Sequence, residues 1–210
     1  MRILITAGGT REYIDPVRFI TNASSGRMGS ALARAAQQAG HNVTLISASD
    51  LQPPVGVYFV GVDSAAEMFD AVKKYFPRCD CLIMAAAVAD YTPVKKSKIK
   101  IKKSKRDLVI RLRPTVDILA WAGKHKHERR ATSNGPRFVV GFALEDKNLR
   151  QNAEKKIQEK NLDMIIANTP AAIGSDKSTV QIKTPNGKWL KLTNKTKTAI
   201  AGKIIDLLTC

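Results

Sequence analysis

An α/β fold built on a mostly parallel sheet is predicted by three observations. Strand-like and helix-like segments alternate along most of the chain. The run "CLIMAAAVA" (81–89) is continuously apolar, as expected of a strand buried on both faces. A glycine-rich turn, Ser24-Ser25-Gly26-Arg27-Met28-Gly29, leads directly into an alanine-rich segment, the arrangement in which a helix N-terminus follows a sheet strand.

The elements follow in order. "RILIT" (2–6) alternates and is β-branched, which predicts the first strand. The pair Gly8-Gly9 follows it, and "REYIDPVRF" with Pro16 reads as extended chain rather than helix. "SGRMGSALARAAQQAG" predicts a helix with serine caps and Gly40 at its end. "HNVTLIS" and "VYFVGV" are strands, and "SAAEMFDAVKKYF" is a helix capped by Ser64. After the apolar run the pattern breaks at Asp90. Residues 95–113, "KKSKIKIKKSKRDLVIRLR", alternate with period two and read as an extended arm or ribbon, a flexible basic flap over about 92–113. "TVDILAWAG" is a helix, "KHKHERRATSNGP" a polar loop, "RFVVGFALE" a strand, "NLRQNAEKKIQEK" a helix and "DMIIAN" a strand. "TVQIKT" and "WLKLTN" form a hairpin whose turn carries an Asn-Gly signal. An amphipathic helix covers about 195–208. With no repeat and no low-complexity linker, residues 1–210 are expected to form a single domain.

Composition narrows the setting. At 44% hydrophobic the chain can bury a sizeable core, yet no run approaches the ~20 apolar residues of a membrane helix. Met1 leads at once into strand residues, so no signal peptide is expected and the compartment is read as cytoplasmic. Of three cysteines, Cys79 and Cys81 flank a strand entry and read as buried, reduced thiols. His125 and His127 sit in a polar stretch and read as solvated. The formal net charge is +17, and residues 95–113 hold ten Lys/Arg against one Asp, about half the excess. An anionic ligand is implied: nucleic acid, membrane surface or polyphosphate.

Several residues are candidates for handling that anion. A helix N-terminus offers free N–H groups and a partial positive charge, and glycines let a phosphate approach. Ser24-Ser25-Gly26 fits this, with Asn22 just upstream; a plain N-cap with glycine packing is the ordinary alternative. Asp90, at the end of the buried run, is placed to face Mg²⁺ on a phosphate chain or simply to cap the turn before Thr92-Pro93. Lys98, Lys100 and Lys102 share one side of an extended strand, either laid over a polyphosphate or solvated. Lys156 and Lys160, four apart on one helix face, either embrace a triphosphate tail or meet only water; Leu149, Ala153 and Ile157 form the adjacent apolar stripe. Tyr91 and Lys95 match a reductase dyad in spacing, but Pro93 lies between them and the dinucleotide fingerprint lacks its third glycine. No paired Ser/His/Asp or Cys/His nucleophile is visible, so the chemistry reads as positioning and charge neutralisation. A nucleic-acid-binding module using the basic arm is the alternative, although residues 94–113 contain no aromatic for base stacking.

Six segments in register, "TAGGTREYIDPVRFITNASSGRMG", "AAAVADYTP", "KIKK", "DIL", "GFALE" and "KNLDMIIAN", together resemble the phosphopantothenate–cysteine ligases of coenzyme A biosynthesis. The resemblance covers about residues 2–170. It implies a Rossmann-like, ribokinase-like three-layer sandwich, usually dimeric. It implies that 4′-phosphopantothenate and L-cysteine are joined at the expense of CTP, through an acyl-cytidylate, with release of pyrophosphate and then CMP, and with Mg²⁺ as cofactor. Matched by position, Gly8, Ser24, Gly26 and Gly29 would line the nucleotide phosphates, and Asn22 would hold the acyl-cytidylate. Met84, Ala85 and Ala86 would line the nucleotide with Asp90 beside them, and Lys100 would be the catalytic lysine of the flap. Val116, Asp117, Ile118, Leu119 and Phe142 would form the cytidine pocket, and Lys156 and Lys160 would meet the triphosphate. Two departures stand out: Val116 replaces a frequent proline, and Lys98 and Lys102 crowd the position of Lys100. Many bacterial members are fused behind a flavin-dependent decarboxylase. This chain begins at the ligase's first strand, which reads as a freestanding protein, served by a separate phosphopantothenoylcysteine decarboxylase, or as an excised domain. Neither nucleic acid nor membrane is an expected partner.

Overall fold

In a computed structural model, which describes residues 1–128 and 135–209, eight strands form one sheet. They are β1 (Arg2–Ala7), β4 (Asn42–Ser47), β5 (Tyr58–Gly61), β6 (Cys81–Met84), β9 (Phe138–Leu144), β10 (Met164–Asn168), β11 (Lys177–Lys183) and β12 (Leu190–Thr196). Their order is β12-β11-β10-β9-β6-β1-β4-β5; the six central and β5-side strands run parallel, and β11 and β12 are antiparallel. Alternation along β1 sets the two cores: Ile3, Ile5 and Ala7 point to one face and Leu4 to the other. The first face is covered by α1 (Arg27–Gln38) and α5 (Lys197–Thr209), which pack on each other; the second by α2 (Ala65–Tyr75), α3 (Ile118–His125) and α4 (Leu149–Glu159). This is a three-layer Rossmann-like sandwich, as the sequence predicts.

Two short hairpins stand off the sheet. The Pro16 stretch is not simply extended: β2 (Arg11–Tyr13) and β3 (Phe19–Thr21) pair antiparallel, with Tyr13 and Phe19 meeting edge to face. The basic flap is laddered only at its base, where β7 (Tyr91–Pro93) pairs with β8 (Leu112–Pro114); no strand runs through Lys98, Lys100 and Lys102. The tip instead docks on the first hairpin. Ser97 donates its N–H to the Ile14 carbonyl (2.9 Å), and Asp15 accepts from the Ile101 N–H (3.1 Å).

Other expectations are corrected in detail. The apolar run is strand only to Met84; Ala85–Asp90 turn off along the sheet's edge because Thr6 Oγ1, the Gly8 carbonyl and Thr10 Oγ1 take the N–H groups of Ala86, Ala87 and Ala89. No serine caps α1: its N-cap is Gly26 in the left-handed region (φ 77°), without a side-chain bond. A side chain there would also strike Ser49, so glycine is required. Ser64 does cap α2, in a full capping box with Glu67. The Asn-Gly hairpin forms, but neither residue has positive φ, and the loop is longer than the two-residue primed turn that pair favours. His125 is not solvated: it ends α3, half-buried and stacked on Trp121, with Nδ1 bonded to the Trp121 carbonyl. Most of the polar loop expected after it lies outside the described residues. Cys79 and Cys81 are buried free thiols; burial pushes Cys79 up to about 12 and Cys81 well above its ordinary value.

Candidate active site

A cavity of about 570 Å³ opens along the carboxyl ends of the parallel strands, where open α/β sheets bind ligands. Both helical layers contribute to its wall. Asn22 and the start of α1, through Gly29, form one side; Met84–Val88 and Asp90 form the floor; Thr115–Leu119, Phe142, Lys156 and Lys160 form the other side. Of the seventeen residues that the ligase resemblance assigns to the site, fifteen line this one space.

The two that do not are Gly8 and Lys100. Gly8 lies behind the wall: its carbonyl accepts from Ala87, and at φ +82° a side chain would lie 2.6 Å from the Ser49 nitrogen. The first glycine pair therefore positions the floor, while the second loop faces the cavity. Lys100 is exposed on the flap, next to the anchored Ile101. No sequence-local signal distinguishes a glycine that faces a cavity from one that supports its floor, because both Gly8 and Gly26 pack against Ser49 and only the bond from Ala87 N–H to the Gly8 carbonyl ties Gly8 to the floor.

Asn22 spends both amide hydrogens on the floor, donating to the carbonyls of Ala87 (3.2 Å) and Val88 (3.1 Å). Its amide oxygen is left available at the cavity. Asp90 closes the flap's base with its carbonyl, which accepts from Thr115 N–H, rather than capping with its carboxylate. That carboxylate is exposed at the rim and makes no hydrogen bond or ion pair among the described residues. Mg²⁺ is held by one or two carboxylates plus phosphate oxygens and water, so Asp90 fits the role of its protein ligand.

The lysines of α4 are matched by carboxylates. Lys156 pairs with Glu145 (2.5 Å), which Asn152 also holds (2.8 Å). Lys160 pairs with Asp117 (2.7 Å), and Asp117 caps α3 by accepting from Ala120 N–H (2.9 Å). Burial pushes both carboxyls up, but the lysine hydrogen bonds, with Asn152 at Glu145 and main-chain donors at Asp117, hold each below the usual range. A side chain at Gly123 would collide with the Lys160 carbonyl, so glycine lets α3 approach the end of α4 and sets this pair.

The far wall was not legible in the sequence. Asn168, Ala172, Ile173, Gly174, Ser178 and Lys197 line the cavity from the end of β10, the β10–β11 connection, β11 and the start of α5. The structure supplies the signal there: Arg27 and Lys197 are each the first residue of a helix, where the dipole disfavours a cation.

The family model described as "DNA/pantothenate metabolism flavoprotein C-terminal domain" matches residues 1–209. The chain belongs to this family. It is 41% identical over 210 residues to the Coenzyme A biosynthesis bifunctional protein CoaBC of Bacillus subtilis (strain 168), covering 97% of this chain and 50% of that protein. It is 43% identical over 210 residues to a "Cysteine/Cysteine sulfinic acid decarboxylase" of an unknown prokaryotic organism, covering 97% and 56%. Among solved structures, the crystal structure of the C-terminal domain of CoaBC superposes with a TM-score of 0.83 at 40% identity, over 99% of this chain and 93% of that one. The chain thus spans about half the length of the curated relatives it matches. No helix among the described residues is long and apolar enough to cross a membrane.

Proposed function

We propose that the chain joins 4′-phosphopantothenate to L-cysteine using CTP, yielding 4′-phosphopantothenoylcysteine for coenzyme A biosynthesis. The observation that carries this reading is the single cavity that collects fifteen of the seventeen residues implied by the ligase resemblance. Membership of the family and the coenzyme A biosynthesis naming of its bifunctional relatives support it.

The chemistry proceeds in two balanced steps. A carboxylate oxygen of 4′-phosphopantothenate bonds to the α-phosphorus of CTP, and the bridging bond to the β-phosphate breaks, releasing pyrophosphate. The cysteine amine then bonds to the acyl carbon, the acyl–phosphate bond breaks with CMP leaving, and the amine loses a proton. No protein nucleophile is required. Val116–Leu119 and Phe142 hold the cytidine, and Asn22 presents its amide oxygen beside the acyl-cytidylate while fixing the floor at Ala87 and Val88. Lys100, carried in by the flap, neutralises charge at the reacting phosphate. Asp90 would hold Mg²⁺, which would supply further charge neutralisation on the phosphates.

The test is pyrophosphate release after mixing the protein with Mg²⁺, 4′-phosphopantothenate and either CTP or ATP, before and after adding cysteine. CTP is expected to release pyrophosphate without cysteine, and cysteine to convert the intermediate to product; excess chelator is expected to stop both. Release with ATP alone would overturn the choice of nucleotide, and no release with either would overturn the activity.

A further inference from the structure

The two sides of the cavity differ in how their positive charge is matched. On the α3–α4 side, Lys156 and Lys160 each hold a carboxylate within 2.7 Å. On the α1–α5 side, the one ion pair of Arg27 among the described residues is with Asp176, whose side chain is 92% exposed, so water screens that pair. Lys197 makes one hydrogen bond, to the Ala172 carbonyl at 3.4 Å, and no ion pair among the described residues. Burial pushes its ammonium below the ordinary value, and the nearby Arg27 charge adds to this against a smaller pull from Asp176. Both cations also stand at the positive ends of helices. Three unfavourable terms therefore meet at one cavity wall: like charge, partial desolvation and the wrong helix pole. An anion in the cavity relieves all three.

We propose that Lys197, with Arg27 beside it, seats the terminal phosphates of the nucleoside triphosphate, the end that leaves as pyrophosphate. This deepens the ligase reading and rests on it. Val116–Leu119 and Phe142 set the base on the α3–α4 side, with Lys156 and Lys160 toward the near end of the phosphate chain. The chain then crosses the floor at Met84–Ala86 to reach the opposite layer. As the bond between the α- and β-phosphates breaks, negative charge grows on the departing pyrophosphate. Lys197 meets it by hydrogen bonding, with no proton transferred.

Calorimetric titration of CTP and of CMP, with Mg²⁺, into the wild-type chain, Lys197→Met and Lys197→Arg tests this. Loss of a charged hydrogen-bond donor is expected to weaken CTP about ten- to a hundredfold in Lys197→Met. CMP, which lacks the terminal phosphates, is expected to bind all three proteins alike, and Lys197→Arg to retain most of the CTP affinity. Unchanged CTP binding in Lys197→Met would overturn the inference, as would an equal loss for CTP and CMP, which marks a structural role. Wild-type protein that binds neither nucleotide would overturn the ligase reading itself, and the inference with it.

Discussion

The Asp15 carboxylate accepts from the N–H groups of Val17, Arg18 and Ile101 and from the Arg18 guanidinium, which also donates to the Ile101 carbonyl. Burial pushes this carboxyl up, but the main-chain donors and Arg18 hold it below the usual range. A lowered folded value means that its contribution is complete above the unfolded pKa, about 4, and is lost as pH falls through the folded one. Acidification below about pH 4 is therefore expected to release the flap, seen as a loss of protection at the Ile101 amide relative to its intrinsic exchange rate at each pH. At neutral pH, Asp15→Asn, which turns a donor toward donors, is expected to speed tryptic cleavage within residues 98–106; unchanged cleavage would show that other contacts hold the flap. Asn22 and Lys100 invite a paired experiment. Lys100 is exposed, so Lys100→Gln is expected to lower turnover about 10²–10³-fold without changing thermal unfolding. Asn22→Asp sets a carboxylate against two carbonyls, and should cost as much turnover while also loosening the floor. Near-normal turnover in both would remove these two assignments.

At the scale of elements, α1 is placed by close approach. A methyl at Gly29 would collide with the Ala7 side chain, so Gly29→Ala forces the helix away from β1. Overpacking of this kind typically costs about 1–3 kcal/mol, and a lower unfolding midpoint by chemical denaturation is the expected readout. Nucleotide affinity should fall with it, because the same shift moves the Gly26 end of α1. All eight sheet strands and all five α-helices among the described residues were legible in the sequence, since each carries a periodicity of 2 or 3.6, a continuous apolar run such as Cys81–Met84, or a cap such as Ser64. The β2–β3 hairpin was not, because three-residue strands show no period and their pairing depends on Tyr13 meeting Phe19 across the turn. The end of the run at Met84 was hidden for a related reason: apolar side chains specify burial, whereas the turn is made by main-chain hydrogen bonds to Thr6, Gly8 and Thr10. Lys197 was missed because its environment is made by residues distant in sequence that only tertiary packing brings near.

At the scale of the whole molecule, the first hairpin and the flap each expose apolar side chains: Val17 and Phe19 on the one, Ile99, Leu108, Val109 and Leu112 on the other. Burial of these side chains against a second copy fits the expected homodimer. Light scattering is expected to give twice the 23.0 kDa chain mass, and Val109→Glu to reduce it; a monomer at working concentration would remove the dimer. The cavity has a consequence for biosynthesis of the protein itself. Its wall draws on Asn22 near one end of the chain and Lys197 near the other. On the proposed reading, a nascent polypeptide emerging from the ribosome has the base-side residues before it has Lys197, so full nucleotide affinity would arise only when α5 docks on α1. Tight nucleotide capture would then be withheld from a polypeptide in which α5 is not yet made.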